Sequence, residues 1–169
     1  MKDDKYWFHQ TPAKLASDLI EFVPIIAGDT LLEPFKGEGA FYNSFPDHTN
    51  KIYSEIEEGI DYRDLKAEHI DWVITNPPFK LPDQNGKMKN AIFPLLVHYS
   101  LIAKKGIAFL VSDYALNSLT TRRLQKMKET GFYLKQMIVC GAKKWRGRYY
   151  FLIFTKEPCN FMTGLLTTY

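Results

Sequence analysis

Thr30-Leu31-Leu32-Glu33-Pro34-Phe35-Lys36-Gly37-Glu38-Gly39-Ala40-Phe41 decides the fold. Thr30 to Glu33 reads as a short buried strand, the residues after it as a tight turn, and Gly37 to Phe45 as a short helix opened by glycines. Glycines at such a point take positive φ and let the backbone approach a ligand closely. In an open α/β sheet, ligands bind at the carboxyl ends of the strands. Gly-x-Gly alone is also what any tight turn requires, so the acid before it carries the argument. Glu33 at the strand end repels phosphate and attracts an ammonium or sulfonium. The absence of Gly-Lys-Ser/Thr also argues against a phosphate-binding P-loop.

Working outward, the chain alternates strands and helices. Pro12 opens a helix over Ala13 to Phe22, with Leu15, Leu19, Ile20 and Phe22 at helical spacing. Lys51 to Glu55 is a second strand, a third short one is expected near Ile60, and Asp71 to Thr75 is a fourth. Lys80 to Asn90 (KLPDQNGKMKN) is polar and reads as a loop. Ala91 to Lys104 reads as a helix stopped by Gly106, and Ile107 to Val111 as an apolar strand. Ser118 to Thr130 is a helix ended by Gly131. Leu134 to Cys140 and Tyr149 to Thr155 are two strands, close enough to pair antiparallel. The expected fold is α/β, with a mostly parallel Rossmann-like sheet, an antiparallel C-terminal hairpin and helices on both faces.

Composition narrows the class. The 169 residues, 46% apolar and 24% charged, fit a single globular domain. Two cysteines make a disulfide framework untenable. The four histidines and two cysteines show no metal-ligand spacing, so no metal is expected. No apolar run reaches the ~18 residues of a membrane span, and the N-terminus lacks a signal-peptide core. A soluble cytoplasmic protein is expected. A net charge of +3 hints at an anionic partner.

Trp72-Val73-Ile74-Thr75-Asn76-Pro77-Pro78-Phe79 carries the chemistry. Two prolines end the strand in a rigid turn. Asn76 offers an amide oxygen, its neighbouring carbonyls further acceptors, and Phe79 a flat face. That set suits methylation of an exocyclic aromatic amine, whose lone pair is delocalised into its ring. Acceptors on its N–H groups favour a pyramidal, nucleophilic nitrogen, and Asn polarises without acting as a base. A base must leave its stack to react, and an aromatic can receive it. Glu55, 22 residues beyond Glu33, stands where a ribose diol is held. A nucleoside with positive charge describes S-adenosylmethionine better than a nicotinamide dinucleotide.

These residues resemble class I S-adenosylmethionine-dependent methyltransferases, and among them the amino-methyltransferases that modify adenine at N6. Glu33 to Phe41 is similar to the family's first cofactor motif, Asn76-Pro77-Pro78-Phe79 to its catalytic motif, and Gln10-Thr11-Pro12-Ala13-Lys14-Leu15-Ala16 to the element that precedes them in one permutation group. The resemblance covers about residues 8–155. It implies S-adenosylmethionine as cofactor, with Thr11 and Glu33 by the methionine moiety. Pro34, Phe35, Gly37 and Gly39 would form the cofactor turn, and Glu55 would hold the ribose. Asp61, with Asp64 as rival, would lie near the cofactor adenine. Asn76, which also borders the cofactor, would form the target site with Pro77 and Phe79.

Basic and aromatic residues supply candidate nucleic-acid contacts: Lys80, Lys87 and Lys89 after the catalytic turn, and Lys143, Lys144, Trp145, Arg146 and Arg148 in the loop before the last strand. An ordinary solvated surface explains these lysines and arginines as well, and Arg122, Arg123, Lys126 and Lys128 read more simply as an exposed helix face. Trp7 and Phe8 read as packing residues, His98 as an interior histidine, and Cys140 as a small buried hydrophobe. The expected function is N6-adenine methylation of nucleic acid, DNA ahead of RNA. Without a separate target-recognition domain, sequence preference comes from loops or a partner subunit, or is lacking. The alternatives are the same reaction on RNA, methylation of a protein glutamine, and a non-catalytic binding subunit.

Overall fold

A computed structural model describes residues 10–65, 69–143, 145 and 147–158. The elements in chain order are α1 (Ala13–Ile20), β1 (Thr30–Glu33), β2 (Asn50–Tyr53), β3 (Ile70–Thr75), β4 (Lys80–Pro82), β5 (Met88–Asn90), α2 (Ile92–Ser100), β6 (Ala103–Ser112), α3 (Asp113–Leu116), α4 (Thr121–Glu129), β7 (Tyr133–Cys140) and β8 (Tyr149–Thr155). Six strands form one sheet in the order β2-β1-β3-β6-β8-β7. β2, β1, β3 and β6 run parallel, and β8 is antiparallel to both of its neighbours. The mostly parallel sheet with a C-terminal antiparallel hairpin is as the sequence predicts.

Strands inside such a sheet are covered on both faces, so they read as unbroken apolar runs. Every residue of β3 and of β8 is buried. Alternate residues serve opposite layers. Trp72, Ile74, Ala108 and Leu110 face α1, which buries Ala16, Leu19 and Ile20 against them together with Phe41 and Phe45. Val73, Ile107 and Phe109 belong to the other layer, under Leu95, Leu96 and Tyr99 of α2 and Met127 of α4. The amino ends of the parallel strands are locked by charge. The Thr30 N–H donates to Asp71 Oδ2 at 2.9 Å, and Lys105 pairs with Asp29 and, at 3.7 Å, with Asp71.

Several sequence expectations are corrected. Gly37 to Phe45 is not a helix beyond one 3-10 turn at Tyr42–Ser44, because the Tyr42 N–H is captured by the Glu33 side chain. No strand forms near Ile60 among the described residues; a single antiparallel bridge joins Glu55 and Ile60. Lys80 to Asn90 is a β4–β5 hairpin with Lys80 opposite Asn90. Its tip is closed by Asp83 Oδ1, which accepts from the N–H groups of Asn85 at 2.9 Å and Lys87 at 3.0 Å, and by Gly86 at φ 75°. The helix expected from Ser118 to Thr130 is the shorter α4, preceded by the separate turn α3. Gly131 does follow it at φ 83°. Trp7 and Phe8 lie outside the described residues.

Gly106 is the most instructive correction. It ends no helix; α2 stops at Ser100, and Gly106 is buried inside β6, opposite Trp72 in register. A Cβ there would stand 2.1 Å from Trp72 Cζ3 and 2.7 Å from the Phe154 carbonyl oxygen. Glycine in a strand marks such a close approach. Gly106→Ala should therefore destabilise the fold by about 2–3 kcal/mol, the upper range for overpacking. Urea denaturation checks this, and an unchanged midpoint would refute the packing argument.

Candidate active site

The carboxyl ends of β1 and β3 lie side by side, and the candidate residues extend from them. After Glu33 the chain turns through buried Pro34, whose carbonyl accepts the Ser54 hydroxyl at 2.7 Å. The Gly39 N–H closes the turn on the Lys36 carbonyl at 2.7 Å. Gly37 and Gly39 sit at φ 51° and 80°, where a side chain would be strained. A Cβ on Gly39 would also press on Asn43 Nδ2 at 3.1 Å.

Glu33 is 2% exposed. Burial pushes its carboxyl up to about 8, against the opposing pull of the Tyr42 N–H, which donates to Oε2 at 2.6 Å. The negative charge of Glu55 adds to the rise, and Lys36 opposes it. Tyr42 carries no sequence signal for this role, because it acts through its backbone.

Glu55 follows β2 and is half-buried. Its Oε2 accepts the Gly37 N–H at 2.5 Å and its Oε1 the Glu57 N–H at 3.2 Å, so it braces the glycine turn. Lys36 lies 3.9 Å from the Tyr53 ring centroid and 2.5 Å from Glu58 Oε1. Asp61 is gripped by the Arg63 guanidinium, with Nη2 at 2.5 Å, which holds its carboxyl below the usual range. The Asp64 side chain is exposed. Tyr62, between them, packs on Phe35 with ring centroids 5.0 Å apart. Its edge also meets His98, a half-buried imidazole whose pKa is lowered by burial.

On β3 the ladder to β6 ends with Thr75 opposite Phe109. Asn76 comes next, half-buried, and its Nδ2 donates to Thr11 Oγ1 at 3.2 Å. The residue ahead of Pro12, which precedes the first turn of α1, thus reaches the catalytic tetrapeptide across the site. A donating Nδ2 assigns the acceptor role to Oδ1. Pro77 is buried, and Phe79 stands 6.5 Å from Tyr149 between ring centroids. Tyr149 in turn meets Trp145 at 4.2 Å. This row of rings joins the basic loop to the tetrapeptide. Tyr149 is visible in sequence only as part of the basic and aromatic segment; its contact with Phe79 depends on β8 pairing beside β6.

The remaining basic candidates border this end. Lys80 opens the hairpin, and Lys87 and Lys89 are exposed on it. Lys143 and Arg148 are exposed, and the Arg148 carbonyl accepts the Asp113 N–H at 3.0 Å. Lys144 and Arg146 lie outside the described residues. Cys140 is half-buried, with its thiol pushed up to about 11 by burial.

No protein-family profile and no curated protein matches the chain. Solved structures do. A methyltransferase from Pyrococcus furiosus aligns with a TM-score of 0.61 at 15% identity, over 89% of this chain and 88% of its own. A Listeria monocytogenes protein, provisionally described as a class I S-adenosylmethionine-dependent methyltransferase, gives 0.59 at 14%, over 86% of this chain and 59% of its own. The modification subunit of a provisionally assigned type I restriction enzyme from Vibrio vulnificus gives 0.59 at 16%, over 92% and 46%. The chain spans about half the length of these last two. The likeness shows the fold, which is the Rossmann-like fold of class I methyltransferases.

Glu33 yields a pH prediction. Its folded pKa of about 8 lies above the ordinary 4.5, so its contribution to stability is full below pH 4.5 and lost as pH rises through 8. Glu33→Gln keeps an acceptor for Tyr42 and removes the buried charge. Thermal melts should show little difference at pH 5 and a higher Tm for the variant at pH 8.5, by roughly 2–4 °C per kcal/mol recovered. Parallel pH profiles for the two proteins would refute the assignment.

Proposed function

We propose that this chain is an S-adenosylmethionine-dependent methyltransferase that modifies adenine at N6 in nucleic acid, DNA ahead of RNA. The observation that carries the reading is the Asn76 amide, tied to Thr11 at the end of β3, one strand from the acidic glycine turn at the end of β1.

The residues fit the cofactor. A carboxyl held near 8 by burial is an acid without its counter-charge, and a ligand ammonium beside Glu33 would draw it back into the ionised form. The positive φ of Gly37 and Gly39 leaves the turn open to close approach. Thr11, Pro34, Phe35 and Asn76 would border the cofactor, Glu55 would hold its ribose, and Asp61 would reach its adenine. Two of these acids are already engaged, Glu55 by the Gly37 and Glu57 amides and Asp61 by Arg63. Ribose binding therefore shares or displaces the Gly37 contact. Bound here, S-adenosylmethionine supplies an electrophilic methyl group on a sulfonium.

The protein's own part is orientation and polarisation. Asn76 Oδ1 and a carbonyl of the proline turn accept the two N6 hydrogens and favour a pyramidal nitrogen. Phe79, backed by Tyr149, supports the extruded base from one face. No side chain need bond covalently to the substrate. The N6 lone pair would take the methyl group as its bond to the sulfonium sulfur breaks, the sulfur would leave as a neutral thioether, and one N6 proton would leave to solvent. Lys80, Lys87, Lys89, Lys143, Lys144, Arg146 and Arg148 would hold the phosphate chain, and Trp145 would stack on a base. These basic residues support nucleic acid over a protein glutamine. A partner subunit is one source of sequence preference.

Nucleoside mass spectrometry after incubation with S-adenosylmethionine and duplex DNA, single-stranded DNA or RNA tests the reading. N6-methyladenine should appear in a DNA sample, and Asn76→Ala should reduce it at least about 100-fold, the scale of losing a group that polarises the reacting nitrogen. Preference for RNA would reassign the substrate. No modified base in any sample would overturn the reading and leave a protein substrate or a binding subunit.

A further inference from the structure

One exposed aromatic residue at this end of the sheet has no part in the assignment above. Tyr114 is the second residue of α3 and is 58% exposed. β6 runs three residues beyond the point where β3 stops, from Phe109 opposite Thr75 to Ser112, and α3 follows directly. The position of α3 is fixed on two sides. Ser112 Oγ caps it by accepting the Ala115 N–H at 3.3 Å, and the Asp113 N–H donates to the Arg148 carbonyl in the basic loop. Tyr114 therefore lies on the same rim as the basic loop.

The hairpin meets it there. Lys80 is the first residue after Phe79, and its ammonium stands 5.5 Å from the Tyr114 ring centroid. The base of the hairpin is anchored beside the tetrapeptide, because the Ala91 N–H donates to the Phe79 carbonyl at 2.9 Å. An exposed ring and a cation at its face, the cation adjacent to Phe79 in the chain, are thus brought together by two segments far apart in sequence.

Resting on the nucleic-acid reading, we propose that Tyr114 and Lys80 form a stacking subsite for a nucleotide that flanks the target, with its base on the Tyr114 ring and its phosphate toward Lys80. The charges orient it. Asp113, next to Tyr114, repels phosphate, which leaves the Lys80 side for the backbone. Stacking accepts any base, because every base has a π face. The subsite holds the strand in place without reading its sequence.

Fluorescence anisotropy of a labelled single-stranded DNA 12-mer tests this without turnover. Tyr114→Ala should weaken binding about tenfold, the scale of one base–aromatic stack, and Tyr114→Trp should restore it. With abasic positions flanking the central adenine, the unmutated protein should fall to the level of Tyr114→Ala, and that variant should lose nothing more. Lys80→Ala should reduce the salt slope by about 0.7, as for one single-strand phosphate contact. Equal affinities for unmutated protein and Tyr114→Ala, or equal losses on the abasic strand, would overturn the subsite, as would no binding at all. A protein that methylates no nucleic acid but shows the Tyr114-dependent pattern would keep the subsite and lose the proposed reaction.

Discussion

The site depends on where β3 is forced to stop. Its residues are buried on both faces, and its ladder to β6 runs as far as Thr75. Pro77 has no N–H to continue that ladder, and each proline biases the residue before it away from helix. The chain must therefore leave the sheet at its carboxyl edge. It cannot wander there, because the Phe79 carbonyl takes the Ala91 N–H and the segment between closes into the β4–β5 hairpin. Asn76, Phe79 and Lys80 are thus held at the rim by the end of a buried strand, which is far stiffer than a surface loop. Thr11 completes the arrangement by fixing the amide of Asn76 from α1's side of the sheet.

What could be read in the sequence follows from how local each signal is. β1 and β8 are legible residue for residue: β8 is buried throughout and reads as a nearly continuous apolar run, and β1 is a buried Leu pair bounded by turn residues. The glycine turn and the proline turn were legible because both are backbone requirements, met by residues adjacent in the chain. Gly106 was not, since its reason is the Trp72 ring on the neighbouring strand. The hairpin reads as a loop in sequence because polar turn chemistry at Asp83 and Gly86, not apolar alternation, holds it. The same limit applies to the site. Glu33, Glu55 and Asn76 announce themselves at strand ends, whereas Tyr149 and Tyr114 gain their places from strand order.

The acidic and basic halves of the rim explain each other. Glu33, Glu55, Glu58 and Asp61 cluster around the ends of β1 and β2, and all but Glu33 are answered by a local partner outside the core: Lys36 for Glu58, Arg63 for Asp61, backbone amides for Glu55. Glu33 alone is buried deeply enough to be driven toward neutrality. A fold gains nothing in stability from such a group, since a buried carboxyl next to a second acid opposes folding at neutral pH. Under the proposed function its presence is preparation for a cationic ligand, whose binding would recover the energy that burial withholds.

Across β3 the sign reverses. Lys80, Lys87, Lys89, Lys143 and Arg148 are exposed around the hairpin and the loop before β8, where they would attract a polyanion. Asn76 stands at the boundary, uncharged, with its amide committed to Thr11. For the proposed reaction this is the required division. A cationic methyl donor belongs on the acidic side, an anionic strand on the basic side, and the group between them should favour neither charge. A carboxylate in place of Asn76 would be drawn to the donor's sulfonium, and a lysine to the strand's phosphates. An amide can hold an aromatic amine between the two without being captured by either.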